Sequence, residues 1–191
     1  MEQNDISLIA GIPTLDIRTF LHGNAAEKAK FAADLGHAYE TIGFAAIHGH
    51  GISDALIEKL YTESAAFFSL PQETKRKYTR PEANNQRGFV SMGIEHAKNS
   101  EAADLKEFWQ VGQPHPPREH DPVHFPSNDQ VAERPEFQQT AVQAFEALEN
   151  IGQAILCAIA LHLDVDEGYF EPWVSGGNSI LRAIHYPPIV E

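Results

Sequence analysis

Ten histidines and one cysteine are the residues of this 191-residue chain best suited to grip a metal, and their spacing decides whether they do. His162-Leu163-Asp164 has the H-x-D form of a metal-binding pair. On a strand, residues two apart point to the same side and can share an ion. On a helix they diverge by roughly 200°. His162 closes a long run of helical periodicity, so it reads as a helix-end histidine that complements the macrodipole. His48 and His50 flank Gly49 with no carboxylate at ligand-like spacing, which favours a turn ordered by backbone hydrogen bonds. His115, His120 and His124 lie among prolines and read as a surface loop. Cys157 reads as a small apolar residue buried in a helix, since a reactive thiol needs a cationic neighbour.

The elements that must position these groups follow from periodicity. Ile12-Pro13-Thr14-Leu15-Asp16-Ile17 alternates apolar and polar residues like a half-buried strand, with Pro13 pointing to an edge or strand-start position. Phe31, Leu35, Ala38 and Ile42 share one helical face, which predicts a helix over 25–42 stopped by Gly43. Phe44 to His48 reads as a short buried strand. Ser53 has N-cap chemistry for a helix whose inner side carries Leu56, Leu60, Ala65 and Phe68. A short helix over 72–78 carries Lys75, Arg76 and Lys77, and with Arg80 this basic run reads as a solvated helix end. Residues 81–103 read as irregular, 107–111 as a strand. Six prolines from Pro114 to Pro135 exclude regular structure there. Phe137, Ala141, Phe145, Leu148, Gly152, Ile155 and Ile159 predict a long core helix from Glu136 to about Leu163. A last strand over 180–186 is broken by Pro187-Pro188.

Composition narrows the function classes. Fourteen Lys+Arg against 27 Asp+Glu give a formal charge of −13, the wrong sign for a phosphate backbone, so no nucleic-acid partner is expected. A single cysteine excludes a disulfide framework and a multi-cysteine zinc site, and fits a reducing, cytoplasmic compartment. Met1 to Ala10 shows no basic segment leading into an apolar one, and the apolar stretch 151–163 is interrupted and short for a bilayer span, so no membrane partner is expected.

Five segments in order resemble the isopenicillin N synthase-like iron(II)/2-oxoglutarate-dependent dioxygenases. They are Ile12-Pro13-Thr14-Leu15-Asp16; Gly43-Phe44 with His50-Gly51-Ile52; Phe67-Phe68-Ser69-Leu70-Pro71 with Lys75 and Tyr78; Asp104-Leu105-Lys106-Glu107-Phe108 with Gly112; and Leu181-Arg182-Ala183-Ile184-His185-Tyr186-Pro187-Pro188. The resemblance implies an α+β fold in which a helical N-terminal region, 1–134, packs on a double-stranded β-helix (jelly-roll) core. Residues 135–191 would hold the long helix and the start of that core, left incomplete in this chain. It implies Fe(II) and 2-oxoglutarate as cofactors, O2 and a small organic molecule as substrates, and a 2-His-1-carboxylate triad. The family's H-x-D pair, distal His and 2-oxoglutarate-binding Arg would lie beyond Glu191, so no catalytic or metal residue is assigned within the chain.

Three residues are candidates for binding. Tyr186, before Pro-Pro, stands where the family's Tyr hydrogen-bonds 2-oxoglutarate, and strand alternation places it on one face with Ile180, Arg182 and Ile184, read as the inward face. Arg182 is a candidate for substrate contact, or for a salt bridge within the core. Arg87 could reach over the barrel mouth toward an anionic substrate, or be a solvated loop Arg. Ile184 stands where many relatives have Asn. The competing reading is a non-catalytic helical binding or assembly module, should the 191 residues be the whole product.

Overall fold

The computed structural model describes residues 7–9, 11–95, 104–115 and 125–188. Its elements in chain order are β1 (Ser7–Ile9), β2 (Ile12–Asp16), α1 (Arg18–His22), α2 (Ala25–Thr41), β3 (Ala46–His48), α3 (Asp54–Phe68), α4 (Gln72–Arg76), β4 (Gly88–Val90), β5 (Glu107–Gly112), α5 (Pro135–His162), α6 (Glu171–Val174) and β6 (Ile180–His185). Helices and two small three-stranded sheets make this an α+β protein. The described residues divide into two compact units. One takes those up to Ile52 together with Leu148–Ser175; the other takes Ser53–Ala147 together with those from Gly176 on.

In the first unit, β2 pairs antiparallel with β1 and parallel with β3. Pro13 therefore sits in the central strand and not at an edge. It is tolerated because the parallel ladder begins only at Thr14↔Ala46, so no bond on that side needs its missing N–H. The parallel crossover is made by α1, which the sequence reading missed, and α2. Asn24 caps α2 by accepting from the Ala26 and Glu27 backbones at 2.9 and 3.1 Å, while Glu27 closes the box on the Asn24 backbone at 2.7 Å. Phe31, Leu35 and Ala38 are buried as expected, with Phe31 and Leu35 joining Leu15, Ile17, Phe20, Ala32 and Ala158 in one cluster. Ile42 falls past the last turn of α2 and is exposed. β3 is only partly buried, and Phe44 is exposed, because this short strand pairs on one side alone.

The second unit is built around Phe67. Its ring lies 4.8 Å from Trp109, 4.9 Å from Phe137, 5.4 Å from Phe68 and 6.0 Å from Phe89, joining α3, α5, β4 and β5. Each such aromatic pair adds about 0.5–1.5 kcal/mol beyond the area it buries. Ser53 does cap α3, accepting from the Leu56 backbone at 3.2 Å. The inner stripe of α3 is Leu56, Leu60, Glu63 and Phe67, at helical spacing. Ala65, expected inside, is exposed, and Glu63 is admitted by its ion pair with Arg134 at 2.8 Å. β5 pairs with β4 on one side and β6 on the other, all antiparallel, so every residue of β5 is buried. The strand β4 corrects the irregular reading of 81–103; its three residues are too few to show periodicity.

α5 runs from Pro135 to His162, close to expectation. Phe137, Ala141 and Phe145 belong to the Phe67 cluster and Ala158 to the Leu15 cluster, whereas Leu148 is exposed. By length and composition alone α5 is long and apolar enough to cross a bilayer, contrary to the expectation for 151–163.

Candidate functional site

The sheet β4-β5-β6 has two faces that the register identifies. Trp109↔Ala183 and Val111↔Leu181 lie on the face packed against the Phe67 cluster. Phe108↔Ile184 and Gln110↔Arg182 lie on the other. The predicted grouping of Ile180, Arg182 and Ile184 therefore stands, but among the described residues this face of β6 is exposed and the Leu181, Ala183 and His185 side is packed. Trp109 decides the polarity, since its ring is the largest side chain on β5 and is held against Phe67. Tyr186, one residue past β6, is 67% exposed, and its hydroxyl makes no hydrogen bond to a described residue.

Arg182 lies over the Phe108 ring at 4.2 Å, donates to Gln110 Oε1 at 3.1 and 3.3 Å, and reaches both Glu95 oxygens at 3.3 Å. Lys106 joins the same group through Glu95 at 3.1 Å and Asp104 at 2.8 Å. Arg182 is thus a partly exposed member of a charge network on the open face and not a buried ion pair.

Arg87 departs from both sequence readings: it is fully buried. Its guanidinium donates to the Gln86 carbonyl at 2.8 Å and to Asn178 Oδ1 at 2.7 Å, and Nε has no partner. No carboxylate among the described residues pairs with it, and burial alone pushes its pKa down. Gly112 is what makes the pose possible, because a Cβ there would collide with the guanidinium. An Arg between a loop and a strand end gives no sequence sign of such burial.

A group the sequence reading missed lies on the packed face. Lys75 and Glu107, 2% and 3% exposed in their side chains, form an ion pair at 2.7 Å, and His185 Nδ1 stands 3.0 Å from Glu107 Oε1. Lys75, expected at a solvated helix end, is among the most buried side chains. A glutamate opening an apolar strand was the available signal, since a buried carboxylate needs a partner. Arg80 of the same run is also paired, with Asp129 and Glu82.

The histidines assemble no metal centre among the described residues, where no group of three His, Cys, Asp or Glu could hold an ion. His162 packs its ring where Gly36 lacks a side chain and contacts Glu40 at 3.0 Å, while Asp164 adopts a left-handed backbone, φ 57°. His50 Nδ1 accepts the Ile52 N–H at 3.1 Å, so a side chain orders the turn where backbone hydrogen bonds were expected. His115 faces Glu146 at 3.3 Å; His120, His124 and Glu191 lie outside the described residues. Cys157 is half-buried, and burial pushes its thiol pKa up. The exposed side of β6 thus carries a guanidinium paired with Glu95 and apolar Ile180 and Ile184, and is followed by Tyr186, whose phenol has no hydrogen bond to a described residue.

Comparison with known proteins adds a family. The profile described as "non-haem dioxygenase in morphine synthesis N-terminal" matches residues 12–133. The 2-oxoglutarate-dependent dioxygenase frbA of Dothideomycetidae sp. (strain 11243) is 30% identical, covering 92% of this chain and 54% of its own length. The 2-oxoglutarate-Fe(II) type oxidoreductase hxnY of Emericella nidulans is 29% identical over 92% and 52%. Among solved structures, a 2OG-Fe(II) oxygenase family protein from Caulobacter crescentus superposes with a TM-score of 0.81 at 35% identity, over 93% of this chain and 57% of that one. A full-length Neurospora crassa protein crystallised in complex with alpha-KG gives 0.74 at 30% identity, over 92% and 51%. The chain spans about half the length of the curated relatives it matches.

Proposed function

Since the chain belongs to the non-haem dioxygenase N-terminal family, we propose that it works in an iron(II)- and 2-oxoglutarate-dependent oxygenase that oxidises a small organic substrate with O2. The match over residues 12–133 carries this reading, and the dioxygenase and oxidoreductase names of the relatives support it. In it, residues 1–134 form the N-terminal region, whose β4 and β5 pair with β6, the start of a jelly-roll core within residues 135–191, and the open face of that sheet is turned to the reaction chamber. Bound iron and 2-oxoglutarate would supply the oxidising chemistry. The described residues do not fit a three-ligand iron site, so no step is assigned to them through the metal.

The part left to this chain is binding. Tyr186 follows the strand end with a hydroxyl that has no partner among the described residues, and in this reading it donates a hydrogen bond to a 2-oxoglutarate carboxylate. Arg182 stands two residues from Ile184 on the same face and, by exchanging Glu95 for an anionic group, contributes a guanidinium to the substrate side. Arg87, buried and without an acid partner among the described residues, is the third binding candidate, for an anionic group on the substrate. The test is a 2-oxoglutarate titration of the complete polypeptide with ferrous iron, alongside succinate release. A hydrogen bond to a charged group contributes about 1.5–3 kcal/mol, so Tyr186→Phe should weaken 2-oxoglutarate about 10- to 100-fold. Unchanged affinity would remove Tyr186 from the site; no 2-oxoglutarate binding by the unaltered polypeptide would favour a non-catalytic module.

A further inference from the structure

Glu107 opens β5 with its carboxylate out of water, and every donor around it comes from another element. Lys75 Nζ donates to both carboxylate oxygens, at 2.8 and 2.7 Å, and to the Phe68 carbonyl at 2.8 Å. Gln72 Nε2 adds a bond at 3.2 Å. His185 is paired directly opposite Glu107 in the β5–β6 ladder. Its Nδ1 stands 3.0 Å from Oε1, and its ring stacks on Phe68 at 5.1 Å with 23° between planes. A carboxylate only accepts, so the proton sits on Nδ1. One imidazole is therefore fixed twice, in the plane by a hydrogen bond and across it by a ring.

His185 is the last residue of a strand that is an edge among the described residues, where fraying would be expected. Tyr186 follows it, and Pro187 confines Tyr186 to extended backbone. With both flanks set, the direction in which the Tyr186 side chain leaves the sheet follows from how His185 is held. Stability alone does not call for this arrangement, because apolar residues of similar volume often replace a buried ion pair without loss. A directional bond on the final ring of the strand does what an apolar pair cannot.

We propose that Glu107 and His185 are positioning residues for Tyr186: the carboxylate, braced by Lys75, holds the end of β6 and so sets where the Tyr186 hydroxyl stands. The consequence for cofactor binding rests on the reading of Tyr186 given above; the positioning itself does not.

Fluorine NMR of the 3-fluorotyrosine-labelled protein tests it. The chain has five tyrosines, and Tyr186→Phe assigns the line of interest. His185→Asn keeps a donor near the Nδ1 position, whereas His185→Phe keeps the stack on Phe68 and removes the donor. The Asn variant should retain a single Tyr186 line, and the Phe variant should broaden or split it while the other four lines stay in place. A Tyr186 line of unaltered shift and width in His185→Phe would overturn the proposal. Should that variant not fold, Glu107→Gln is read in the same way. Titration of the complete polypeptide with 2-oxoglutarate and ferrous iron then supplies the second arm. His185→Phe should weaken binding about tenfold, and combining it with Tyr186→Phe should cost no more than Tyr186→Phe alone; additive losses would overturn action through Tyr186. If Tyr186→Phe does not alter affinity, the cofactor reading falls, while positioning is decided by the fluorine lines.

Discussion

Replacing Lys75 with methionine keeps most of the side-chain volume but removes the cation, leaving the Glu107 carboxylate with Gln72 and His185 as its donors. Removing one partner of a buried ion pair typically costs about 3–5 kcal/mol. In a chain of this size each kcal/mol moves Tm by about 2–4 °C, so a fall of about 6–20 °C is expected. Urea unfolding at pH 7 reads it through the fluorescence of Trp109, 4.8 Å from Phe67, in a Trp173→Phe background that leaves one tryptophan. The pH dependence sharpens the test. Burial pushes the Glu107 carboxyl up, but hydrogen bonds from Lys75, His185 and Gln72 outweigh it and hold the pKa below the ordinary glutamate value. A depressed carboxyl stabilises the fold above its unfolded pKa, and that contribution is lost as pH falls through the folded value. The unaltered protein therefore keeps it down to the ordinary carboxylate range, about pH 4.3. Without Lys75 the burial effect dominates, the pKa rises and the sign reverses, so Lys75→Met should gain stability as pH drops from 7 toward 5. The pair replacement Lys75→Met with Glu107→Leu should recover most of the loss. A cost under about 1 kcal/mol at pH 7, or an unaltered pH profile, would refute the argument.

Gly112→Ala should destabilise by about 1–3 kcal/mol or more in urea unfolding, because the new methyl displaces the buried Arg87 guanidinium; a neutral result would mean that Arg87 has another resting place. Asn24→Ala removes the two bonds that its side chain accepts from the Ala26 and Glu27 backbones, leaves the Glu27 bond to the backbone of residue 24, and should cost about 1 kcal/mol, read by the same method. The hydrogen bond and charge of Arg18 hold the Asp16 carboxyl at about 2, so carbon-detected NMR should find it still ionised at pH 3. Any stability it confers is present above its ordinary value and disappears as pH falls toward 2. Because Arg18 is largely exposed, Arg18→Met should move that inflection toward 3.8 with little effect on stability.

What could be read from the residues was whatever depends on local order. Periodicity located α2, α3, α5 and β5 because each has a stripe of large apolar side chains to bury, and Ser53 could be recognised by capping chemistry alone. Strand alternation grouped Ile180, Arg182 and Ile184 correctly, yet which side met the core depended on Trp109 and Phe67, residues remote in sequence. The same limit hid the burial of Lys75, whose acid partner lies 32 positions away, and of Arg87, whose place depends on the absence of a side chain at Gly112. Ala65 and Leu148 failed for the converse reason: each fits a helical stripe in sequence, and no element among the described residues comes to cover it.

β5 is the centre of its sheet, but its two neighbours reach it from opposite directions along the chain: β4 precedes it and β6 begins only at Ile180. During translation at roughly 5–20 residues per second, about 70 residues must be added after Gly112 before β6 is made, an interval of roughly 3–14 s. Throughout it one flank of β5 carries bare amides and carbonyls, and Glu107 lacks the imidazole that will later dock on it. The nascent chain thus holds an open hydrogen-bonding edge for seconds, and chaperone occupancy should be greatest in that window and drop once Ile180–His185 has zipped into register.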